Sequence, residues 1–576
     1  MLTYSFANRG ETSLYEYLYQ CIRADIESGA IEPGEKLPSK RSFARHLGVS
    51  LITVEGAYSQ LVAEGYLRAE PRRGYYACDL RTEGIVPDHP ASRKRSTVLS
   101  SLEASDAGEL MPEEGLAQAY ASLALAGQHN DAPASAGGAP SRVRDEGEAP
   151  SASIADFTGA SVPFGLFPYS AWAKSVRDAL TRESEHALVG ETGFAGTRRL
   201  REAIAAHLRG FRGMEVDPEC IVVAAGSQVL YNLLVQLLGR TLRYGVEDPG
   251  YVRLTRIYEA NDVPLSHIPL DAQGVSMASV NASKVDVLHL MPSHQFPTGI
   301  VTSISRRYEL LGWASAAKDR YVIEDDYDCE FRLTGRPIPA LRSIDASGKV
   351  IYTNTFTKSL GPAFRVGYMV LPPLLAERFK RELGFYSCTV SAIDQLALAR
   401  FIESGDYERH VNRLRTHYRT VRDELIAALQ KSAFAERIRI EEQDAGIHFL
   451  LGIDTGRAND LGSSEVPRRV SGPARRYRFD DACAAPSAVS EGDDALRWEV
   501  RFVKAAEKAG VRLAPLSSFY YGSGGATTRA LRGTPATEQG PLRRFLVSYG
   551  GIELEAIDPA VSALEQAVRT ADAATR

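Results

Sequence analysis

In the stretch TFTKSLGPAFRVGY, Lys358 stands among the hydroxyl residues Thr355, Thr357 and Ser359, and Arg365 follows it. An amine in such a setting can bond covalently to a carbonyl compound while hydroxyls and a guanidinium hold an anionic group of the same ligand. Upstream, YVIEDDYDCEF reads as a buried strand ending in Glu324, Asp325 and Asp326, followed by Tyr327. Acids at the carboxyl end of a parallel strand lie where open α/β sheets bind ligands. IVVAAGSQVLYNLL passes from a strand through Gly226 into a helix whose first turn carries Ser227, so that free backbone amides and a hydroxyl form a cup for phosphate. Each element alone is weak, because a loop lysine is ordinarily a solvated charge and an acidic strand end is often a cap. Together they match pyridoxal phosphate, which needs an amine for a Schiff base, a carboxylate at its ring nitrogen, a phenol near O3' and a phosphate cradle. Lys358, Asp325, Tyr327, and the set Gly226, Ser227, Thr355, Thr357 and Arg365 meet those demands in turn. Asp326 rivals Asp325, since strand alternation says only that the two point to opposite sides.

These groups need a sheet to hold them. Apolar runs (IVVAAG, VDVLHLM, YVIED, VIYTNTF) alternate with amphipathic ones (SQVLYNLLVQLL, ISRRYELLGWASAAK), which predicts βαβ units and a mainly parallel sheet. A chain of 576 residues exceeds one core, so two or more domains are expected. The run from Ala126 to Ser153 is rich in Ala, Gly, Pro and Ser and buries too little apolar surface to order itself, so residues 79–153 are expected to be a flexible linker. A second polar stretch, about 455–494, is expected to be a surface loop inside the large domain spanning 154–576. Six cysteines lack zinc-ligand spacing, and no metal site is expected. No apolar run is long enough to span a membrane and no secretory signal is visible at the start, so a cytoplasmic protein is expected.

Residues 1–78 form a different unit. Leu14, Leu18, Ile22 and Ile26 recur every four residues along one helix face. Around LGVS, Gly48 can end one helix and Ser50 can cap the next, a helix-turn-helix arrangement. The net charge of −5 conceals a basic cluster from position 36 onward, suited to phosphate contacts. A helical hairpin used only for dimerisation is the alternative. LPSKRSFARHLGVSLITVEGAYSQLVAEGYLRAE is similar to the winged helix-turn-helix of GntR-type regulators, with Leu51 where that family commonly has arginine and only Gly74 in the wing. The resemblance implies operator DNA as partner, contacted by Lys40, Arg41, Arg45, Ser50, Thr53, Tyr58, Arg72 and Arg73.

The motifs DPGYVRL, MPSHQFPTG, IEDDYD and TFTKSLGPAFRVGY, in that order, resemble fold-type I aminotransferases, and the joined pair of domains resembles the MocR/GabR class of regulators. The resemblance implies a Schiff base at Lys358, Asp325 at the pyridine nitrogen, Tyr327 at O3' and Tyr251 stacked on the ring, with core packing as the plain alternative for Tyr251. It implies an effector site including Arg253 and His294, and a head-to-tail homodimer with each winged helix against the partner's large domain. His294 and Gln295 replace the Asn-Pro pattern of aminotransferases. Where those enzymes bind the substrate carboxylate through an arginine of the last strand, FLVSYGGI has Leu546; Arg543 and Arg544 lie just before it. Losing that clamp argues against efficient turnover. The expected function is therefore transcription regulation through pyridoxal phosphate or an amine or amino acid, acting on genes of vitamin B6 or amino-acid metabolism. An active aminotransferase with a vestigial DNA module is the alternative.

Overall fold

The computed structural model describes residues 2, 4, 6, 12–70, 73–80, 154–159, 163, 165–333, 338–444, 446–455, 494–521 and 542–573. The expected linker beyond residue 80, the expected loop between 456 and 493, and Arg72 lie outside them.

The first unit is a winged helix. Helix α1 (Leu14–Ser28) buries Leu18, Tyr19, Ile22 and Ile26, three of the four residues of the expected repeat with one tyrosine added, while Leu14 at the helix start is only partly buried. Helix α2 (Lys40–Leu47) ends at Gly48, whose φ of 65° is the left-handed conformation that side chains disfavour. Helix α3 (Leu51–Glu64) starts at Ser50, whose side chain accepts the Thr53 amide proton. Strands β1 (Lys36–Leu37), β2 (Leu67–Glu70) and β3 (Gly74–Ala77) form an antiparallel sheet with β3 in the middle. The core of this unit is closed by a residue of the large domain, Ile304. Gly65 sits directly over Ser303, where a Cβ would come within 3.0 Å of the serine's own.

The large domain is built on strands β5 (Ile221–Ala224), β6 (Tyr244–Asp248), β7 (Leu265–Asp271), β8 (Gly274–Val275), β9 (Val287–Leu290), β10 (Tyr321–Asp325), β11 (Val350–Thr355) and β12 (Gly367–Val370), in the spatial order β5-β12-β11-β10-β9-β6-β7-β8. Pairing is parallel from β11 through β7, while β12 runs antiparallel to both its neighbours and β8 antiparallel to β7. Every residue of β5, β9 and β12 is buried, which explains why these strands read as continuous apolar runs without alternation. Strand β4 (Ala155–Asp156) pairs with β15 (Val511–Arg512). A second antiparallel sheet, β13 (Ile438–Glu441), β14 (His448–Asp454), β17 (Leu542–Ser548) and β16 (Ala514–Pro515), carries the C-terminal part. No helix among the described residues is long and apolar enough to cross a membrane.

Candidate functional site

The carboxyl ends of the parallel strands bring together the residues that the motifs singled out. Lys358 lies in the short helical turn Thr357–Leu360 directly after β11. Its Nζ is 5.9 Å from the centre of the Tyr327 ring. Removal from water lowers its amine to about 8, against a smaller opposing pull from Asp328. That value sets a testable pH dependence. Only the neutral amine attacks a carbonyl, so capture of pyridoxal phosphate should speed up about tenfold per pH unit below 8 and level off above it. Stopped-flow absorbance on the cofactor-free protein measures this; a rate still climbing steeply at pH 9 to 10 would show an ordinary exposed lysine.

The two consecutive acids separate cleanly. Asp326 points into a buried ion pair with Arg212, 2.6 Å away, and accepts the Tyr352 hydroxyl at 2.8 Å. Asp325 accepts the Tyr231 hydroxyl at 2.5 Å and has His289 Nε2 at 3.7 Å. Asp326 is thereby engaged in a buried ion pair, whereas Asp325 has a tyrosine hydroxyl and a histidine ring beside it. Burial raises the Tyr327 phenol well above its ordinary value, with Asp328 and Asp325 adding to the effect. It therefore stays protonated and can donate a hydrogen bond.

Gly226 has φ 84° and ψ 173° and precedes the helix Ser227–Leu238. A Cβ there would fall 2.6 Å from Arg365 Nη2, so glycine is what lets the guanidinium close over the helix amides. Arg365, itself at φ 51°, donates to the Ala225 carbonyl at 3.3 Å. Thr355 and Thr357 flank the same turn, both partly buried. Tyr251 caps the helix Val252–Ala260, meets Phe296 edge-on at 5.8 Å, and has the exposed Arg253 6.0 Å over its ring. It also packs against an apolar core cluster, the plain alternative expected for Tyr251.

Three further features stand out, Gln295 from within MPSHQFPTG and two that no motif marked. Gln295 does not face a ligand: its amide donates to the Pro249 and Phe296 carbonyls, and its oxygen accepts the Thr298 amide at 3.0 Å. Glu247, next to DPGYVRL, is buried and pushed up to about 8 by desolvation, with the Met291 amide pulling the other way. His448 arrives from β14 and packs on His294 with ring centres 4.3 Å apart. A lone histidine in an apolar strand carries no signal of its own, and only the fold brings it here. His294, Asp328 and His448 present atoms within 4.8 Å of one another, near enough to hold a metal ion.

On the last strand, Leu546 is buried opposite Leu450. Neither nearby arginine projects as a solvent-exposed strand cap: Arg544 pairs with Glu441 at 2.8 Å, and Arg543 is wholly buried.

In the winged helix, Arg41 and Arg45 are exposed on α2. Lys40 is held by Glu55 at 2.5 Å, and Arg73 is 3.6 Å from Glu70. Ser50 and Thr53 share a hydrogen bond of 2.8 Å at the start of α3. Tyr58, expected at the DNA face, is instead fully buried, donating to the Pro38 carbonyl at 2.9 Å and packing on Phe43 and Tyr75. It falls on the inner face of α3, where its hydroxyl serves the core. Ile52 is the missed surface residue, 80% exposed on the first turn of α3.

Comparison with known proteins agrees with this two-part construction. Residues 14–76 match the family described as bacterial regulatory proteins, gntR family, and residues 164–465 match aminotransferase class I and II. The chain is 34% identical over 449 residues to the HTH-type transcriptional regulator YdeL of Bacillus subtilis (strain 168), covering 78% of this chain and 86% of that one. It is 29% identical over 495 residues to the HTH-type pyridoxine biosynthesis transcriptional regulator PdxR of Corynebacterium glutamicum, covering 84% and 94%. Among solved structures, the multiple substrate aminotransferase of Thermococcus profundus superposes with a TM-score of 0.56 at 20% identity, over 73% of this chain and 92% of that one. The chain belongs to the MocR-type HTH transcriptional regulators, in which a GntR-family DNA-binding domain is joined to a domain of aminotransferase fold.

Proposed function

We propose that this regulator binds pyridoxal phosphate at Lys358 and changes its DNA binding when the cofactor, or an amine that displaces Lys358 from it, occupies the site. The observation carrying this reading is the coexistence of a complete set of cofactor groups with Leu546 on the strand opposite β14. Lys358 supplies the amine, Asp325 the acid, Tyr327 the phenol, and Gly226, Ser227, Thr355, Thr357 and Arg365 the phosphate cradle. When bound, the cofactor supplies an electrophilic carbonyl carbon and an electron-withdrawing ring. Asp325 would hold a proton on the ring nitrogen, Tyr327 would donate toward O3', and Tyr251 would cover the ring face. Arg253 and His294 would face the effector.

The target genes in this reading serve vitamin B6 or amine and amino-acid metabolism, and the working form is a head-to-tail dimer. Two winged helices then meet two half-sites of an operator. The decisive experiment is binding to DNA from the regulator's own upstream region, with and without pyridoxal phosphate; failure of both states to bind would remove the main support.

Arg41 and Arg45 are the exposed cations of α2. Replacing either with alanine should weaken operator binding several-fold and reduce the slope of log affinity against log salt by about one, since each cation neutralises one phosphate. Cofactor absorbance should be untouched. Anisotropy titrations at several salt concentrations test this, and an unchanged slope would place the residue off the DNA. Turnover as an aminotransferase is the second reading, favoured by the intact Lys358, Asp325 and Tyr327. Sustained multiple turnovers with common amino donors and keto acids would establish it.

A further inference from the structure

The first turn of α3 presents two apolar side chains to water in succession, Leu51 at 41% and Ile52 at 80% exposure. They share one side of the helix with the exposed Glu55 and Ser59, at helical spacings of three and four residues, while Val54, Ala57 and Leu61 face the core. Neither is among the residues that build or border the core of the winged helix. Single apolar residues scattered over a surface are ordinary. Two side by side, at the head of the helix that a helix-turn-helix lays in the major groove, stand where base edges are read.

The surrounding chemistry narrows what they meet. Helix α3 contains no lysine, arginine or histidine, and its two acids are engaged, Glu55 with Lys40 at 2.5 Å and the buried Glu64 with the Tyr19 hydroxyl at 2.7 Å. Ser50 and Thr53 serve the cap: Ser50 Oγ accepts the Thr53 amide proton at 3.1 Å and shares a 2.8 Å hydrogen bond with the Thr53 hydroxyl. The exposed cations stand to the sides, Arg41 and Arg45 on α2, Arg68 on β2 and Arg73 before β3. That distribution offers phosphate contacts from the flanks and leaves no charged donor on α3 for the two acceptors of guanine. Of the groups that base pairs show in the major groove, the one suited to an apolar side chain is the C5-methyl of thymine.

We propose that Leu51 and Ile52 are the base-reading pair of this regulator, and that its operator carries thymine at the base pairs facing the first turn of α3, the two side chains covering the thymine C5-methyl groups. This rests on DNA binding by the winged helix and not on what occupies Lys358. The test uses the full-length protein, cofactor-free and cofactor-loaded, to enrich binding sites from a pool of duplexes with randomised centres, followed by anisotropy titration of the enriched sequence. Each thymine is then replaced in turn by deoxyuridine, which keeps the pairing and removes the methyl group alone. At two positions of each half-site the affinity should fall about fourfold, the size expected of one methyl group withdrawn from water. Ile52→Ser should flatten that loss at one of the two positions and Leu51→Ser at the other. Because both residues are exposed, thermal unfolding of the variants should match that of the parent. Uracil tolerated at every position, a loss that persists at both positions in either variant, or self-association lost in either variant on size exclusion, which would mark a protein contact, would overturn the proposal. If no duplex is enriched in either cofactor state, the reading of function fails and this inference falls with it; enrichment without dependence on the methyl groups defeats this inference alone.

Discussion

Lys358→Ala is expected to abolish the visible absorbance of bound pyridoxal phosphate and to make DNA affinity indifferent to cofactor and to amines, while the winged helix stays folded. Lys358 is the amine that the structure places beside Tyr327, with its Nζ 5.9 Å from that ring and its charged form disfavoured by desolvation. A side chain that must shed a proton to sit comfortably contributes little to stability as an ion, so truncating it removes an unfavourable charge along with some packing. Thermal unfolding should therefore move little while the absorbance vanishes. Lys358→Arg sharpens the comparison: it keeps a cation but offers no nucleophilic amine near neutral pH. Both variants should bind operator DNA in one fixed state. Normal regulation by either would make the tether irrelevant.

The loop carrying His294 is in physical contact with the element on which the winged helix is seated. The loop carrying His294 runs from Pro292 to Thr302 into the helix Ile304–Ser315. Fully buried Arg307, on that helix, donates to the carbonyls of both Pro292 at 2.8 Å and Thr302 at 3.0 Å, pinning the two ends of the loop. The same helix contributes Ile304 to the core of the winged helix, and Ser303 at its start lies under Gly65. In the proposed reading, a ligand that shifts the loop would shift the seat of the DNA module. Such an element responds only to ligands that bind its two arrangements with different affinity.

Much of this was legible in the chain because the chemistry is local. TFTKSLGPAFRVGY places Lys358 and Arg365 on one strand and its following turn, and Gly226 with Ser227 marks a strand-to-helix junction by the glycine itself. Helix-turn-helix geometry followed from Gly48 and Ser50, whose capping roles are fixed by backbone conformation. What escaped depends on distant segments meeting. His448 enters from another sheet, Glu247 gains its raised acid only through burial, and Tyr58 turned inward because α3 presents a broad face to its core. The choice between Asp325 and Asp326 was undecidable locally, since Arg212, the ion-pair partner of Asp326, lies more than a hundred residues earlier.

That choice yields the largest expected effect on stability. Arg212 and Asp326 are each 1% exposed in their side chains, and Arg212 also donates to the Ser293 hydroxyl at 3.2 Å. Removing one member of a buried pair leaves the other charged and unsolvated, at a cost of about 3–5 kcal/mol. Arg212→Met should therefore destabilise the large domain by that amount in urea denaturation, and adding Asp326→Leu should recover part of it, because the orphaned charge is gone. Asp325→Asn should behave oppositely: its Tyr231 hydrogen bond can persist to the amide oxygen, so stability should change by less than about 1 kcal/mol. The amide, however, cannot stabilise a protonated ring nitrogen, so cofactor affinity and its absorbance should fall sharply. If Asp326→Asn lost the cofactor while Asp325→Asn kept it, the roles assigned to the two acids would be reversed, and the orientation of β10 deduced from the Arg212 pair would be wrong.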